Sequence, residues 1–206
     1  MKFNIFTETY PYIADLIEDN SRVLDLGCGE GNLMKLLQEQ KRCRVQGIEL
    51  DSIQVQECVA KGLFVYNGDI DEGLADFGDQ RFDAVILSNV IQSVNNPENT
   101  LLESARVGKK VIVSLPNFGN MKVRLQLLLT GQMPKTKELP YEWYNTPNIH
   151  LTTVQDFIQF CKSRQIKVEK EIYLARSGNA LRKLHIMPNM RGDMAIFVLS
   201  KSNKFS

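Results

Sequence analysis

The sequence predicts a single α/β domain, spanning 1–206, in which a mostly parallel sheet is covered by helices on both faces. Apolar runs of strand length alternate with segments of helical periodicity through the first 115 residues, which is typical of parallel strands joined by crossover helices. The run FDAVILS at 82–88 is almost wholly apolar after Asp83, as expected of a strand buried on both faces. A chain of 206 residues is long enough for one large domain.

The first elements follow from local spacing. Ile13, Leu16 and Ile17 have the i, i+3, i+4 spacing of a helix, which should end near 19–21. The apolar run at 22–26 is the first predicted strand. A helix should begin just past Gly29, with Leu33, Leu36 and Leu37 facing inward, and a second strand (RVQGIE) is expected at 44–49.

The middle of the chain continues the alternation. A helix is expected at 52–61, a short strand at 63–66 and the buried strand at 82–88. A further helix at 97–106 leads to the apolar run VIVSL, the fifth strand, at 111–115.

The pattern changes after Pro116. Residues 118–131 look helical, but the following stretch, near 132–150, is rich in proline, lysine and aromatic residues without clear periodicity. A last helix is expected at 154–162, and the runs at 168–174 and 194–199 could pair as late strands. The prediction is therefore seven strands and one irregular excursion.

Composition argues against several function classes. The net charge is +1 with no basic stripe, so binding to nucleic acid is not expected. The four cysteines form no CxxC pair and only two histidines are present, so neither a structural zinc site nor another metal site is expected. No export signal and no membrane-spanning apolar run is visible, which favours a cytoplasmic protein with reduced thiols.

The stretch VLDLGCGEG at 23–31 places three glycines directly after the first strand. Glycine lets a loop turn tightly and approach a ligand closely. The spacing is G-x-G-x-G, because Asn32 lies where a dinucleotide motif needs its third glycine, and no GK[ST] follows to make a P-loop. Asp25 would repel a pyrophosphate but suits a ligand that carries an ammonium group.

Acidic residues follow the next two strands. Glu49 ends the second strand, 18 residues past Gly31, where a carboxylate can accept both hydroxyls of a ribose. Asp69 in NGDID follows the third strand and could bind an adenine amino group, while Ser88 and Asn89 complete the crevice. A ligand with a ribose, an adenine, an amino-acid arm and no phosphate matches this set: S-adenosylmethionine.

These residues resemble the class I methyltransferase family, which implies a Rossmann-like fold with a mostly parallel seven-stranded sheet. By that resemblance Asp25, Gly27, Cys28 and Gly29 line the methionine arm. The resemblance further implies that Glu49 binds the ribose and that Asp69 and Ile70 bind the adenine. The full predicted set for binding S-adenosylmethionine or S-adenosylhomocysteine is Asp25, Gly27, Cys28, Gly29, Gly31, Glu49, Leu50, Asp69, Ile70 and Ser88.

The sequence assigns no catalytic residue. Methyl transfer needs an aligned nucleophile, often helped by a base. Ser93 lies about where many small-molecule methyltransferases of this class carry a histidine. His150 is a candidate base or a loop histidine that binds backbone. Tyr141, Trp143 and Tyr144 are candidates to close over a sulfonium, or simply to bury the loop.

The stretch LPNFGNMKVRLQLLLTGQMP at 115–134, continuing through LPYEWYNTPNIHLTT, resembles the methionine biosynthesis protein W (MetW) family, as do RVLDLGCGEG, GIELD and FDAVILSNVIQSV in their order. This resemblance covers nearly the whole chain and makes the segment at about 116–150 family-specific. It implies a cytoplasmic role in methionine biosynthesis as a partner of homoserine O-acetyltransferase.

Two functions therefore remain open. One is an S-adenosylmethionine-binding partner or regulator of homoserine acylation, for which Leu125, Leu127, Leu128 and Leu129 suggest a partner surface. At helical spacing, at least some of these four leucines are expected to lie in the core. The other is an active methyltransferase on a small molecule. A dehydrogenase is disfavoured by Asn32 and Asp25.

Overall fold

The computed structural model describes residues 5–72 and 74–201. All of the named strands belong to one eight-stranded sheet with the order β3-β2-β1-β4-β5-β8-β6-β7. The strands are β1 (Arg22–Leu26), β2 (Arg44–Glu49), β3 (Phe64–Asn67), β4 (Ala84–Ser88), β5 (Val111–Pro116), β6 (Ile166–Ser177), β7 (Ala180–Leu184) and β8 (Met194–Lys201). Strands β1 to β5 are parallel to one another, and β8, β6 and β7 each run antiparallel to the preceding neighbour.

Helices cover both faces of this sheet, as the sequence predicts. They are α1 (Tyr10–Ala14), α2 (Asn32–Lys41), α3 (Ser52–Ala60), α4 (Pro97–Val107), α5 (Met121–Thr130), α6 (Val154–Ser163) and α7 (Pro188–Arg191), and a 3-10 turn at Ile5–Thr9 precedes α1. Successive side chains along β4 enter opposite clusters: Ile86 packs with α1 and α2, whereas Val85 packs with α4 and α6. Among the described residues, no helix is long and apolar enough to cross a bilayer.

The sheet has one strand more than the seven predicted. β6 extends to Ser177 and turns through Gly178 and Asn179 into β7, with Ser177 paired to Ala180. A two-residue Gly-Asn loop with Gly178 at φ +61° is a hairpin signal that the sequence does contain. β7 was missed because its sequence, ALRKL, buries only Leu181 and does not alternate between apolar and polar residues.

Other boundaries shift for local reasons. α1 ends at Ala14 rather than near 19–21, because Leu16 and Ile17 donate to carbonyls three residues back and continue as turns. α5 is shorter than 118–131, because Asn120 caps its first turn by accepting from Lys122 N, and Gly131 at φ +66° ends it. The late strands at 168–174 and 194–199 do pair, within longer strands.

The predicted irregular excursion near 132–150 contains no helix or strand. It is held to the domain by an ion-pair network in which Arg176 of β6 binds both Glu138, which is buried, and Glu8 near the N-terminus. Tyr12 Oη also donates to Leu181 O of the hairpin at 2.8 Å. The N-terminal elements, the β6–β7 hairpin and the excursion are therefore tied together.

Candidate functional site

The glycine loop lies where β1 ends, at the edge of the sheet formed by the carboxyl ends of its parallel strands. Gly27 has φ +67° and its N–H donates to Ile48 O at 2.8 Å. A Cβ at Gly27 would lie 2.5 Å from Cγ2 of Val90, which follows β4. Only glycine therefore allows the loops after β1 and β4 to approach this closely.

The other two glycines of this loop have different surroundings. A Cβ at Gly31, whose φ is +74°, would lie 2.3 Å from Leu63 Cδ1 and 2.9 Å from Cys58 Sγ. A Cβ at Gly29, whose φ is +57°, would meet only the end of the Gln54 side chain, at 3.0 Å. Gly31 thus packs against the protein interior, while the space beside Gly29 is largely free of protein atoms.

Glu49 joins the end of β2 to the glycine loop. Its Oε2 accepts from Gly29 N at 2.8 Å and its Oε1 accepts from Asp51 N at 3.0 Å. Each carboxylate oxygen retains acceptor capacity for a ligand hydroxyl. The neighbouring Leu50 is 65% exposed.

Asp69 lies in the loop after β3, next to the same edge. Its Oδ1 accepts from Asp71 N at 2.9 Å, and Ile70 packs in the core. Gly68 N donates to Glu49 O at 3.0 Å, which joins this loop to the end of β2. Asp71 in turn accepts from Asn95 N at 2.8 Å, so the loops after β3 and β4 are also connected.

Asp25 is only 2% exposed, and burial together with the neighbouring charge of Glu49 raises its pKa to about 8. Burial and the charge of Asp25 also raise the pKa values of the Tyr10 hydroxyl and the Cys28 thiol. The charges that shift these three groups are all negative. In the described part of the chain, no cationic side chain is among the charges that shift these pKa values, so this end of the crevice favours a positively charged ligand.

Two residues after β4 carry buried polar atoms without a partner among the described residues. Ser88 Oγ lies 3.3 Å from Ser114 Oγ. Asn89 has φ +58°, which is uncommon for a residue other than glycine, and both polar atoms of its amide are buried and unpaired. Gln92, which is 3% exposed, has an unpaired Oε1. Such orphaned groups are expected at a site where a ligand supplies the missing hydrogen bonds.

The candidate catalytic residues are engaged elsewhere. His150 Nε2 lies 3.1 Å from Val94 O, and Ser93 Oγ donates to Asn148 Oδ1 at 3.5 Å. Both contacts therefore join the loop after β4 to the end of the excursion. Tyr141, Trp143 and Tyr144 are exposed, with the Trp143 and Tyr144 rings edge to face at 5.7 Å between centroids. The His150 contact is to a backbone carbonyl and the Ser93 contact is to a side-chain amide, and neither forms a nucleophile–base pair.

Sequence reasoning missed Tyr10, Val90 and Gln92. Tyr10 packs against the same apolar cluster as Cys28, where the charge of Asp25 raises the pKa of its hydroxyl, and no spacing in the sequence predicts this. The glycine–Val90 approach is likewise a tertiary contact. For Gln92 the signal was a polar residue within the apolar run SNVIQSV.

The fold and the crevice define a protein with the Rossmann-like class I methyltransferase fold. A SAM-dependent methyltransferase from Thermotoga maritima, described as a possible histamine N-methyltransferase, superposes with TM-score 0.69 and 16% identity, over 97% of this chain and 92% of that one. A SAM-dependent methyltransferase from Archaeoglobus fulgidus gives TM-score 0.68 and 14% identity over 96% and 93%. At these identities the similarity shows the fold alone.

Residues 7–199 match the model of the family described as "Methionine biosynthesis protein MetW", and the chain belongs to that family. It is a methionine biosynthesis protein with a methyltransferase-like fold. A relative in Rhodopirellula baltica, named "Bifunctional methionine biosynthesis protein MetXA/MetW", is 29% identical over 201 residues. The match covers 93% of this chain but 32% of the relative, so the chain spans about a third of that protein's length.

Proposed function

We propose that this protein binds S-adenosylmethionine in the crevice at the carboxyl edge of the sheet, and that it serves methionine biosynthesis as a partner and regulator of homoserine O-acetyltransferase. The observation that carries the binding proposal is the convergence of Asp25, Glu49 and the Gly27–Gly29 turn at one edge, where burial and the charge of Glu49 raise the pKa of Asp25 to about 8.

The residues present fit this ligand. Asp25 would face its ammonium group, and a cation there would favour the carboxylate form over the neutral form that burial imposes. Glu49 would accept from the ribose hydroxyls with its remaining lone pairs. Asp69 and Ile70 would bind the adenine, and the open space beside Gly29 would admit the methionine arm.

When bound, the cofactor would supply a sulfonium and an activated methyl group. The chain's own residues would hold it in place: Gly27 and Gly29 let the backbone approach, and Glu49 fixes the loop by its bond to Gly29 N. Asp25 would lose a proton as the ligand's cation arrives, because its pKa of about 8 falls when a positive charge comes close.

Two observations support the partner role: the contacts of His150 and Ser93, and the name of the relative in Rhodopirellula baltica. His150 and Ser93 bind the excursion and the backbone rather than pairing as base and nucleophile. The MetXA/MetW relative carries two methionine biosynthesis names in one polypeptide, and the family resemblance implies homoserine O-acetyltransferase as the partner. A protein that binds the activated end product while attached to an early enzyme of the pathway could report cofactor supply.

The alternative is an active methyltransferase on a small molecule. The solved neighbours described as SAM-dependent methyltransferases favour it, as does a largely apolar cavity of about 720 Å³ between α4 and α6, lined by Ile91, Phe157 and Phe160. That cavity, however, has none of Asp25, Gly29 or Glu49 in its wall.

Titration calorimetry and affinity capture test the proposal together. S-adenosylmethionine or S-adenosylhomocysteine should bind more tightly than NAD, and the protein should retain homoserine O-acetyltransferase from native lysate. Tighter binding of NAD would contradict the assignment of the crevice. If the captured material contained no acetyltransferase and the protein released S-adenosylhomocysteine over many turnovers, the alternative of an active methyltransferase would be favoured.

A further inference from the structure

Helix α5 is apolar on nearly all sides, yet it is hardly buried. Of its ten residues only Val123 is buried. Leu125, Leu127, Leu128 and Leu129 are exposed, and Leu128 is 78% accessible. At 100° per residue these four leucines point in widely different directions around the helix. A helix that is apolar all round is expected to be covered by other protein.

The apolar character continues from α5 into the excursion. We define the α5 surface as Leu125, Leu127, Leu128, Leu129, Met133 and Trp143; the indole of Trp143 is 73% exposed. Met133 and Trp143 also line an open, mostly polar cleft of about 660 Å³, together with Gln126 of α5 and the ion pair of Lys135 and Glu142. Ten of the eighteen exposed large hydrophobic side chains in the described part of the chain lie between 125 and 151. Such a concentration marks an interaction site.

We propose that the α5 surface is the docking surface for homoserine O-acetyltransferase; the inference rests on the proposed function. The MetXA/MetW relative shows that a chain of this family can share one polypeptide with a second, larger part. We assign the α5 surface to the separate protein that corresponds to this second part, which is the acetyltransferase under the proposed function.

Charge favours this partner over a second copy of the same chain. The charged residues of α5 are Lys122 and Arg124, both exposed, and the helix has no acidic residue. A two-fold contact through this helix would bring Lys122 and Arg124 of one copy close to those of the other, which is unfavourable. The acetyltransferase should instead offer an apolar patch with an acidic rim.

The excursion, which carries Met133 and Trp143 of the α5 surface, is hydrogen-bonded to the loop after β4 at the crevice. Ile149 N and His150 N donate to Gln92 O at 2.9 and 3.0 Å, and Gln92 Nε2 donates to Asn89 O at 2.9 Å. Asn89 directly follows β4 at the crevice. Ligand in the crevice and partner on the α5 surface can therefore bias the same loop, which is the requirement for coupled binding.

The test compares charge insertions on the α5 surface and at an exposed residue outside it. The double variant Leu128→Asp/Trp143→Asp places carboxylates on the α5 surface. Val59→Asp places one outside the α5 surface, near the end of α3, which packs on β2 and β3 and where Val59 is also exposed. Binding of the purified acetyltransferase from the same organism is measured by biolayer interferometry. The double variant should bind at least tenfold more weakly than the unmodified protein, while Val59→Asp should bind equally well.

Circular dichroism and S-adenosylmethionine titration confirm that each variant is folded and keeps its crevice. If the double variant bound the acetyltransferase as tightly as the unmodified protein, the docking assignment would be overturned while the partner role stood. If the unmodified protein did not bind it at all, the proposed function would fail and the docking assignment with it. If the double variant instead abolished self-association in sedimentation, the occupant would be a second copy, which also contradicts the proposal.

Discussion

At the scale of single residues, Asp25 buries a carboxyl group beside a second carboxylate, Glu49. Burial and that charge raise its pKa from 3.8 to about 8, so the folded protein holds a proton that the unfolded chain releases. Below pH 4 the raised pKa therefore contributes fully to stability, and this contribution is lost as the pH rises to about 8. A buried carboxyl group that lowers stability when it ionises is expected where ligand binding requires the ionised form.

The first prediction concerns Asp25→Asn, which keeps the shape of the neutral carboxyl group. Between pH 6 and 8 the unmodified protein should lose about 2 kcal/mol of stability that the variant does not lose, a difference in Tm of roughly 4–8 °C. Thermal melts at the two pH values give this difference. Equal pH dependence in both proteins would show that Asp25 is ionised at neutral pH in the free protein.

The second prediction concerns Glu49→Ala. Loss of the charge-assisted hydrogen bonds to the ribose should weaken S-adenosylmethionine binding by about 1–3 kcal/mol, as measured by calorimetry. Glu39→Ala, an exposed carboxylate on α2 that pairs with Lys35, is the control and should bind normally. Unchanged affinity of the Glu49 variant would remove Glu49 from the site.

The residues of the crevice could be placed from the sequence because they end strands, and the ends of neighbouring parallel strands share an edge. The hydrogen bonds that these residues form could not be predicted from the sequence. Glu49 turns back to accept from Gly29 N, which depends on β1 and β2 pairing in register. The unpaired amide of Asn89 depends on its left-handed backbone, which asparagine adopts more readily than most residues, and on tertiary packing that the sequence pattern does not predict.

At the scale of elements, the five residues of the glycine loop serve two roles, packing against the interior and leaving space for a ligand. Gly31 allows the loop to pack on Leu63 and Cys58, whereas Gly29 leaves space beside the crevice. Because both glycines have positive φ, the same substitution causes similar backbone strain at each position. Any difference between the two variants therefore reports the atoms around each glycine.

The third prediction is therefore a matched pair. Gly29→Ala should cost about 1–2 kcal/mol in backbone strain, keep a native circular dichroism spectrum and abolish cofactor binding. Gly31→Ala should cost a further 1–3 kcal/mol or so, because its Cβ overlaps Leu63. Denaturant titrations with calorimetry distinguish the two. Normal ligand affinity in Gly29→Ala would show that the ligand does not approach this loop.

Elements with strong periodicity were predicted well. The strand prediction at 44–49 matches β2, and the apolar run at 111–115 lies within β5. The β6–β7 hairpin forms one edge of the sheet and is half exposed, so a clear alternation of apolar and polar residues does not mark β7. The path of the excursion depends on the contacts of Glu138 and Arg176, which lie 38 residues apart in sequence.

At the scale of the whole molecule, the crevice, the excursion and the α5 surface are connected. The loop after β4 contacts the glycine loop through Val90 and the excursion through Gln92. Arg176 ties the excursion to the hairpin and the N-terminal turn. Occupancy of the crevice can thus alter the surface to which we assign the partner, without any methyl transfer.

The most direct test is the rate of homoserine acetylation by the acetyltransferase, with this protein titrated in and S-adenosylmethionine present or absent. We expect the rate to depend on the protein until the complex is saturated. We also expect S-adenosylmethionine to shift the rate with the unmodified protein but not with Glu49→Ala, and S-adenosylhomocysteine not to accumulate beyond one equivalent. An acetylation rate indifferent to the protein, with many equivalents of S-adenosylhomocysteine released per chain, would contradict the account.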